Sequence, residues 1–572
     1  MPEYLAPGVY VEEVSFRSKS IEGVSTSTTA FVGVTRKGPT SGAPELITSF
    51  GDFERIYGGL NDISFGSNRI TNYLAHGVKN YFDNGGARLF VARVFVTDGS
   101  TTGIAGSSLI GDGSDTDDQF RFTARSPGAE GNGSVALSVN ETDVSSAAIT
   151  APALVRAPNG SLLDDGGTVY IKSNGIWLDA SDVAFTGPAG GSAVLVTLNV
   201  LTIDANGDQV FYENMGFGSE HPNYVANTLS STPVRRIDQL QNNYAIELGS
   251  SVDGFRLYSI VNTDLGSNSS VSYSLTGGND GGMPAGSNYV DPLLLHASND
   301  DISIVSAPGY SAYTDRVGIQ NEILTHVEQR KAYRIAVLDV PIDQTVTEAV
   351  GVKSSIDSSY AALYHPWIVV SNPLARPNDS SIPNEVALPP SGFVCGIYAR
   401  NDNTKGVAKS PGNEVVRGAI RFQTEISFAE QEILNPKGVN CLRFFPGRGN
   451  RLWGARTTTS DPEWKYVGPR RYFLYLERSI DRSTQWAVFE NNGPQLWANV
   501  RETVSSFLYN EWRSNALLGS TPEEAFFVRC DRTTMTQNDL DNGRMICLIG
   551  VSVLKPAEFV VFRIGQKTMD AR

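Results

Sequence analysis

Apolar and polar positions change rhythm along the 572 residues of this chain. Beyond residue 300, short apolar runs alternate with amphipathic stretches. The runs at 301–309 and 334–340 read as buried strands, the second closed by Pro341. Helices are expected over 317–330 and 345–359, followed by strand-like runs at 361–364 and 367–370. Strand, helix, strand order predicts an α/β core with a partly parallel sheet.

The clearest helix falls at 495–518. Leu496, Val500, Val504, Leu508 and Trp512 recur every four residues, joined by Trp497 and Phe507. Pro494 suits the first turn and Gly519 the position just past the end. Arg501, Glu502, Ser505 and Arg513 fall away from the stripe. The plain reading is a helix packed on its own domain; the functional one gives its polar face to a partner. Ser520-Thr521-Pro522-Glu523-Glu524 starts another helix.

From residue 97 to about 287 the chain is rich in Gly, Ser, Thr, Asn and Asp. Alternating runs at 134–139 and 193–198, broken by turn clusters, predict one β-rich domain or two small ones. The acidic block at 112–118 lacks the glycine and closing glutamate of a calcium loop, so it reads as a solvated loop. Strand-like runs also stand alone at the two ends, 6–14 and 558–566. Val9, Tyr10, Val11, Glu12 and Val14 lie in the first; Phe559, Val560, Val561, Phe562 and Ile564 lie in the second. Neither has a hairpin partner, and unpaired strands need one. Strand addition to another copy of the chain would supply it.

Charge sharpens the division. Residues 97–300 hold 23 Asp and Glu against 7 Lys and Arg, a net of −16, whereas the remainder, with 38 and 39, is near neutral. An acidic middle argues against direct nucleic-acid binding. No apolar run approaches a membrane span, so no membrane insertion is expected. The first residues lack the basic-then-apolar pattern of a secretory leader. Cys395, Cys441, Cys530 and Cys547 lie far apart in sequence and read as small hydrophobes in a reducing compartment, not as a disulfide or zinc framework.

Motifs for nucleophilic, metal-dependent or nucleotide chemistry are missing, so no catalytic residue, cofactor or metal is expected. His76, His221, His296, His326 and His365 are scattered and read as core or surface residues. Gly447-Arg448-Gly449-Asn450-Arg451 reads as a basic turn rather than a phosphate loop. Arg443, Arg448, Arg451, Arg456, Arg470 and Arg471 are candidates for ion pairs with other subunits or a partner.

Several long motifs, in order, resemble contractile tail sheath proteins of phage tails and phage-tail-like injection systems. Leu5-Ala6-Pro7-Gly8-Val9-Tyr10-Val11-Glu12-Glu13-Val14 opens the match, followed by Leu46-Ile47-Thr48-Ser49-Phe50-Gly51-Asp52-Phe53-Glu54-Arg55-Ile56-Tyr57-Gly58-Gly59. Ser391-Gly392-Phe393-Val394-Cys395-Gly396-Ile397-Tyr398-Ala399-Arg400, Asn440-Cys441-Leu442-Arg443-Phe444-Phe445-Pro446-Gly447-Arg448-Gly449 and Thr533-Thr534-Met535-Thr536-Gln537-Asn538-Asp539 continue it. The resemblance covers roughly 1–96 and 300–566 and leaves the middle unmatched.

It implies a multidomain α/β (mixed α+β) sheath core with an inserted β-rich outer domain and strand arms at both ends. The expected parts are arms at 1–22 and 554–572, core at 23–96 and 300–450, the insert at 97–299, and a tube-proximal domain at 451–553. It further implies a structural, non-enzymatic subunit, linked by its arms into hexameric rings in a helical array. Contraction would drive an inner tube through a target membrane. The implied partners are other copies, the tube protein, and baseplate and terminal cap proteins. Assembly is expected in the cytoplasm of the producing bacterium. Arg501, Glu502, Ser505, Arg513, Arg448 and Arg451 become candidate tube-facing or intersubunit residues. The competing readings are a non-contractile tail or baseplate component, and a glycan-binding or glycan-cleaving protein built on 97–299.

Overall fold

The computed structural model describes residues 21–97, 99, 102–111, 115–144, 152–187 and 193–563. The N-terminal run carrying Val9, Tyr10, Val11, Glu12 and Val14, and Ile564 at the other end, lie outside these residues.

A nine-stranded sheet forms the centre. Leu89–Val94, Thr29–Val34, Ile304–Ser306, Ile335–Asp339, Ala361–His365 and Val439–Phe445 lie side by side and parallel. Antiparallel strands close both edges: Leu46–Ile47 on one side, Gly449–Leu452 and then Glu414–Val415 on the other. The first five of the parallel strands are buried along their whole length, because helices cover both faces. Successive side chains therefore enter different cores. Phe31, Val91, Val337 and Tyr364 face the layer that holds helices Phe50–Tyr57, Tyr73–Asp83 and Ser391–Lys405. Val32, Ala92, Leu338 and Leu363 face the layer that holds Val290–Ala297, Arg316–Glu328, Val346–Ser354 and Phe428–Leu434.

The strand–helix order expected beyond residue 300 is present, with shorter elements. The run at 301–309 yields only Ile304–Ser306, because Pro308 and Gly309, the latter at φ +92°, turn the chain away. The helix expected over 345–359 stops at Ser354, where Ser355 caps it. Its start is sharp: Thr345 Oγ1 accepts from the Glu348 N–H, and the Glu348 carboxylate accepts from the Thr345 N–H.

Glycines set the closeness of the Tyr73–Asp83 and Ser391–Lys405 helices. A Cβ at Gly392 would come within 2.7 Å of the Gly77 backbone, and one at Gly77 within 2.7 Å of Pro308. Gly392→Ala is therefore expected to force the helices apart and destabilise the fold by about 1–3 kcal/mol. Urea denaturation of the variant would measure this, and an unchanged midpoint would refute it.

Residues 102–281 build antiparallel sheets around a core of their own, containing Phe122, Leu137, Leu198 and Val200. Ser134–Asp143 and Val194–Ile203 pair along ten residues and centre the larger sheet. The strand-rich pattern of the sequence is visible here, together with a twelve-residue helix, Gly254–Leu265, that periodicity did not reveal. Packing and composition divide the chain at different points. Val290–Ala297 falls within the insert expected at 97–299, yet Tyr289 and Leu293 are buried against the central sheet.

A polar seam joins the middle to residues 36–64. Glu130, with a fully buried side chain, receives Arg36 Nε at 3.1 Å and lies 3.5 Å from Lys37 Nζ. Its carboxylate also accepts the Gly59 N–H at 3.3 Å. Gly58 has φ +91°, and a Cβ there would sit 2.7 Å from the same carboxylate. The Tyr57-Gly58-Gly59 ending of the early motif is thus shaped by a charge from the middle segment.

The C-terminal part stacks Val467–Ser483 on Pro494–Arg513, followed by a two-stranded hairpin, Phe526–Arg529 with Leu548–Val551. The long helix buries Leu496, Trp497, Val500, Val504, Phe507 and Leu508, as its stripe predicts. It ends at Arg513, five residues before the expected end. Ser514 caps it and Asn515 adopts φ +59°, so asparagine supplies the left-handed exit that Gly519 was expected to provide. The expected following helix is a single turn, Pro522–Ala525.

Candidate functional site

Both chain ends are held at their roots by this C-terminal part. On the N-terminal side, Ile21 is buried among Tyr472, Leu476 and Phe507. The Val24 N–H donates to Ser479 Oγ at 3.2 Å, and Arg471 Nη2 donates to the Thr26 carbonyl at 3.0 Å. Ser303 Oγ donates to the Ser25 carbonyl at 2.9 Å, tying the same strip to the central sheet. Gly23 passes against the Tyr475 hydroxyl, where any Cβ would collide.

On the C-terminal side the root is Glu558. Arg456 grips its carboxylate with Nε at 2.7 Å and Nη2 at 2.6 Å. Asn435 Nδ2 and the Tyr466 hydroxyl donate to it at 2.8 and 2.9 Å. Arg456 also donates Nη1 to the Asn435 carbonyl and is 7% exposed, so its own position is fixed. Burial disfavours the Glu558 charge, but the hydrogen bonds from Arg456, Asn435 and Tyr466 and the Arg456 charge outweigh it and hold the pKa below the ordinary value.

Immediately beyond this root come Phe559, Val560, Val561 and Phe562, exposed by 72%, 67%, 77% and 83% and outside any strand. Four consecutive large apolar side chains facing water on both sides of the backbone are unusual for a folded chain. The charge on Glu558 aligns this segment without covering it.

A depressed carboxyl pKa stabilises the folded contact above the unfolded value and loses that stabilisation as pH falls through the folded value. Acidification below the ordinary carboxylate range should therefore release residues 556–563. The Val560 and Val561 methyl resonances are expected to sharpen as pH falls through that range in the native protein, and to be sharp and pH-insensitive in Glu558→Gln. Equal profiles for the two proteins would refute the latch.

The Phe526–Arg529/Leu548–Val551 hairpin packs into the same apolar cluster as Ile21 of the N-terminal root. Two strands alone are marginal. Phe527 and Leu548 are 53% and 49% exposed on its outer face. Beyond the hairpin's last paired residues, Leu517 bridges to Val553, so a neighbouring segment covers part of one edge.

The remaining candidates are placed as follows. Arg501 and Glu502 are exposed, and Arg501 donates to the Cys530 carbonyl at 3.4 Å. Ser505 is half-buried and Arg513 exposed at the helix end. Arg448 stacks on Phe445 and Trp453 and donates to Asn413 Oδ1 at 2.7 Å. Arg451 donates to the Arg448 carbonyl at 3.0 Å, across the turn that links strands Val439–Phe445 and Gly449–Leu452. Arg443 donates to Gln431 Oε1.

Three of the arginines are internal. Besides Arg456, Arg471 forms a bidentate pair with Asp402 at 2.8 and 2.6 Å, beneath Tyr398. Arg470 lies over the rings of Tyr360 and Trp464. Sequence reasoning found these arginines but had no signal for their partners, most of which, Trp464 aside, lie tens to about a hundred residues away. It also missed Glu558 and Tyr466.

Four of the five histidines are buried, and burial lowers His76, His326 and His365 to about 4 and His296 to about 3. His326 Nε2 lies 2.7 Å from Arg334 Nη1, which can only donate, so this imidazole is neutral. Asp339 is raised to about 7 by burial and accepts from the Ser391 N–H and hydroxyl at 2.7 and 2.6 Å. It fixes the start of the Ser391–Lys405 helix. Among the described residues no group of three His, Cys, Asp or Glu is placed to hold a metal, and no helix is long and apolar enough to cross a membrane.

Comparison with known proteins gives this architecture a family. Residues 293–458 match the phage tail sheath protein central domain, and residues 459–567 match the phage tail sheath C-terminal domain. The chain carries both domains of the tail sheath family. A putative prophage major tail sheath protein of Pseudomonas aeruginosa (strain UCBPP-PA14) is 24% identical over 269 residues, 46% of this chain. That alignment spans 64% of the Pseudomonas protein, less than two thirds of its length. The fold extends further than the sequence similarity. The sheath of the extracellular contractile injection system PVC, in its contracted state, superposes with a TM-score of 0.55 at 18% identity. It covers 99% of both chains. The contracted helical sheath of the anti-feeding prophage gives 0.53 at 19% identity, covering 99% of this chain and 100% of that one. The chain therefore shares its mixed α/β fold with those sheaths over nearly its full length.

Proposed function

We propose that the protein is the repeating subunit of a contractile sheath. It polymerises as stacked hexameric rings around an inner tube, and contraction drives that tube through a target membrane. The observation that carries the reading is the exposed Phe559–Phe562 segment, held at Glu558 and left without a strand partner among the described residues. The segment adds as a strand to another copy, and the small Phe526–Arg529/Leu548–Val551 sheet is the acceptor with room for it. The N-terminal run at 6–14 makes the second link. Roughly four backbone hydrogen bonds per added strand, at a net ~0.5–1.5 kcal/mol each, hold neighbours together while their bodies rotate.

The exposed side of Pro494–Arg513, with Glu502, Ser505 and Arg513, faces the tube, and Arg501 divides its role between that side and the Cys530 carbonyl. Residues 97–299, acidic and for the most part built on the separate core of 102–281, lie on the outside of the array. Baseplate and cap proteins terminate it, and assembly takes place in the cytoplasm of the producing cell. The protein acts mechanically, without a catalytic step or a bound cofactor.

Negative-stain microscopy of the expressed protein tests the proposal. Long, wide, striated cylinders are the expected result. Discrete closed rings at every concentration would overturn it in favour of a non-contractile tail or baseplate component.

A further inference from the structure

Cys530 and Cys547 are separated in sequence but adjacent in space. The hairpin pairs Phe526 with Val551 and Arg529 with Leu548, so the next facing pair is Cys530 with Cys547. The Ser552 N–H donates to the Ala525 carbonyl, which fixes the alternation of bonded and non-bonded pairs. Counted from there, the cysteines occupy a non-hydrogen-bonded site, where facing Cα atoms lie about 4.5 Å apart. That falls within the ~4.4–6.8 Å range of disulfides. Phe526, Val528 and Cys530 share one face of their strand, turned toward the core, and Cys547 packs against the same cluster. Each thiol perturbs the titration of the other, as expected for facing neighbours. All four cysteines of the protein are free.

We infer that Cys530 and Cys547 form an intrachain disulfide when the folded protein meets a low-molecular-weight disulfide as oxidant. The inference is independent of how the subunits assemble. Cys547, the more exposed of the two, attacks as thiolate and expels one thiolate from the oxidant, leaving a mixed disulfide. The Cys530 thiolate then attacks the Cys547 sulfur and expels the second. The protein loses two electrons and two protons, and the oxidant leaves as two thiols. Burial raises both thiols, Cys547 up to about 12, and the nearby Arg501 charge opposes this only in part. The exchange is accordingly slow at neutral pH, which suits a bond that forms after folding rather than during it. The bond would clamp the open end of the hairpin and close the 531–546 loop, which carries the Thr533-Thr534-Met535-Thr536-Gln537-Asn538-Asp539 motif and helix Gln537–Asp541. Cys395 and Cys441 are buried in the α/β body and have no part in it.

The test is to incubate the native full-length protein with oxidised glutathione in mildly alkaline buffer. Thiols are then blocked in denaturant, and tryptic peptides are mapped without reductant. Two of the four thiols should be lost. One cross-linked species should appear, joining the peptide 530–532 to the peptide 545–563, and reductant should separate them. The second peptide runs to Arg563 because Lys555 precedes Pro556. Four thiols still free, glutathione retained separately on each cysteine, or a cross-link between two chains would each overturn the inference.

Discussion

A protein lacking residues 559–572 is expected to fold, remain soluble and form no cylinders. Glu558 must be kept, because without it Arg456 would be left charged and buried with no carboxylate. Of the residues removed, Phe559, Val560, Val561 and Phe562 touch little of the rest of the described chain: all four are at least two-thirds exposed. Their loss therefore spares the monomer. In the assembly each would be covered, and fully burying such a side chain contributes ~1.5–3 kcal/mol. A deletion that removes several of these from every subunit contact abolishes growth long before it affects folding. Circular dichroism should match the full-length protein while microscopy shows no polymer. Cylinders of normal length would sink the arm hypothesis. Removing residues 1–16 is expected to have the same effect at the other link.

Asp402→Ala is expected to destabilise the folded chain by about 3–5 kcal/mol, without touching any proposed contact between subunits. The Arg471 and Asp402 side chains are 3% and 2% exposed. Burial alone would make the Arg471 charge costly, but its pKa is held above the usual value by Asp402, chiefly through charge and hydrogen bonding. Removing the carboxylate leaves a guanidinium in the core with only the Thr26 carbonyl to accept from it. Thermal unfolding should shift by many degrees, and Arg471→Leu together with Asp402→Leu should recover part of the loss, since a volume-filling apolar pair carries no desolvation cost. A melting temperature within error of the parent protein would refute the assignment.

The parallel sheet was legible because its strands are short apolar runs set between helical stretches, and burial on both faces enforces that pattern. The Pro494–Arg513 helix was legible from its stripe, but its end was not, since Asn515 and Gly519 both suit a left-handed exit and only packing selects between them. The Gly254–Leu265 helix escaped notice because it lies in a stretch dominated by strand and turn residues, although Leu257, Tyr258, Val261 and Leu265 recur at helical spacing. Strand composition identified Phe559–Phe562. The root that orients it depends on Arg456 and Tyr466, about a hundred residues away, and long-range polar pairs leave no periodic trace in sequence. The same holds for Glu130 beside Gly58, and for Cys530 beside Cys547.

The two roots share one helix. Val24 is bound to Ser479 and Thr26 to Arg471, both within Val467–Ser483, while Tyr466, which caps that helix, holds Glu558. A pull applied between the two ends of the chain is thus borne by about five helical turns and the side chains clipped to them. The acidic middle hangs beside this line of tension, while the wide parallel sheet braces it through Ser303 at one root and through Arg456 and Asn435 at the other. Segments of any length can be accommodated in the middle without lengthening the element that carries the load.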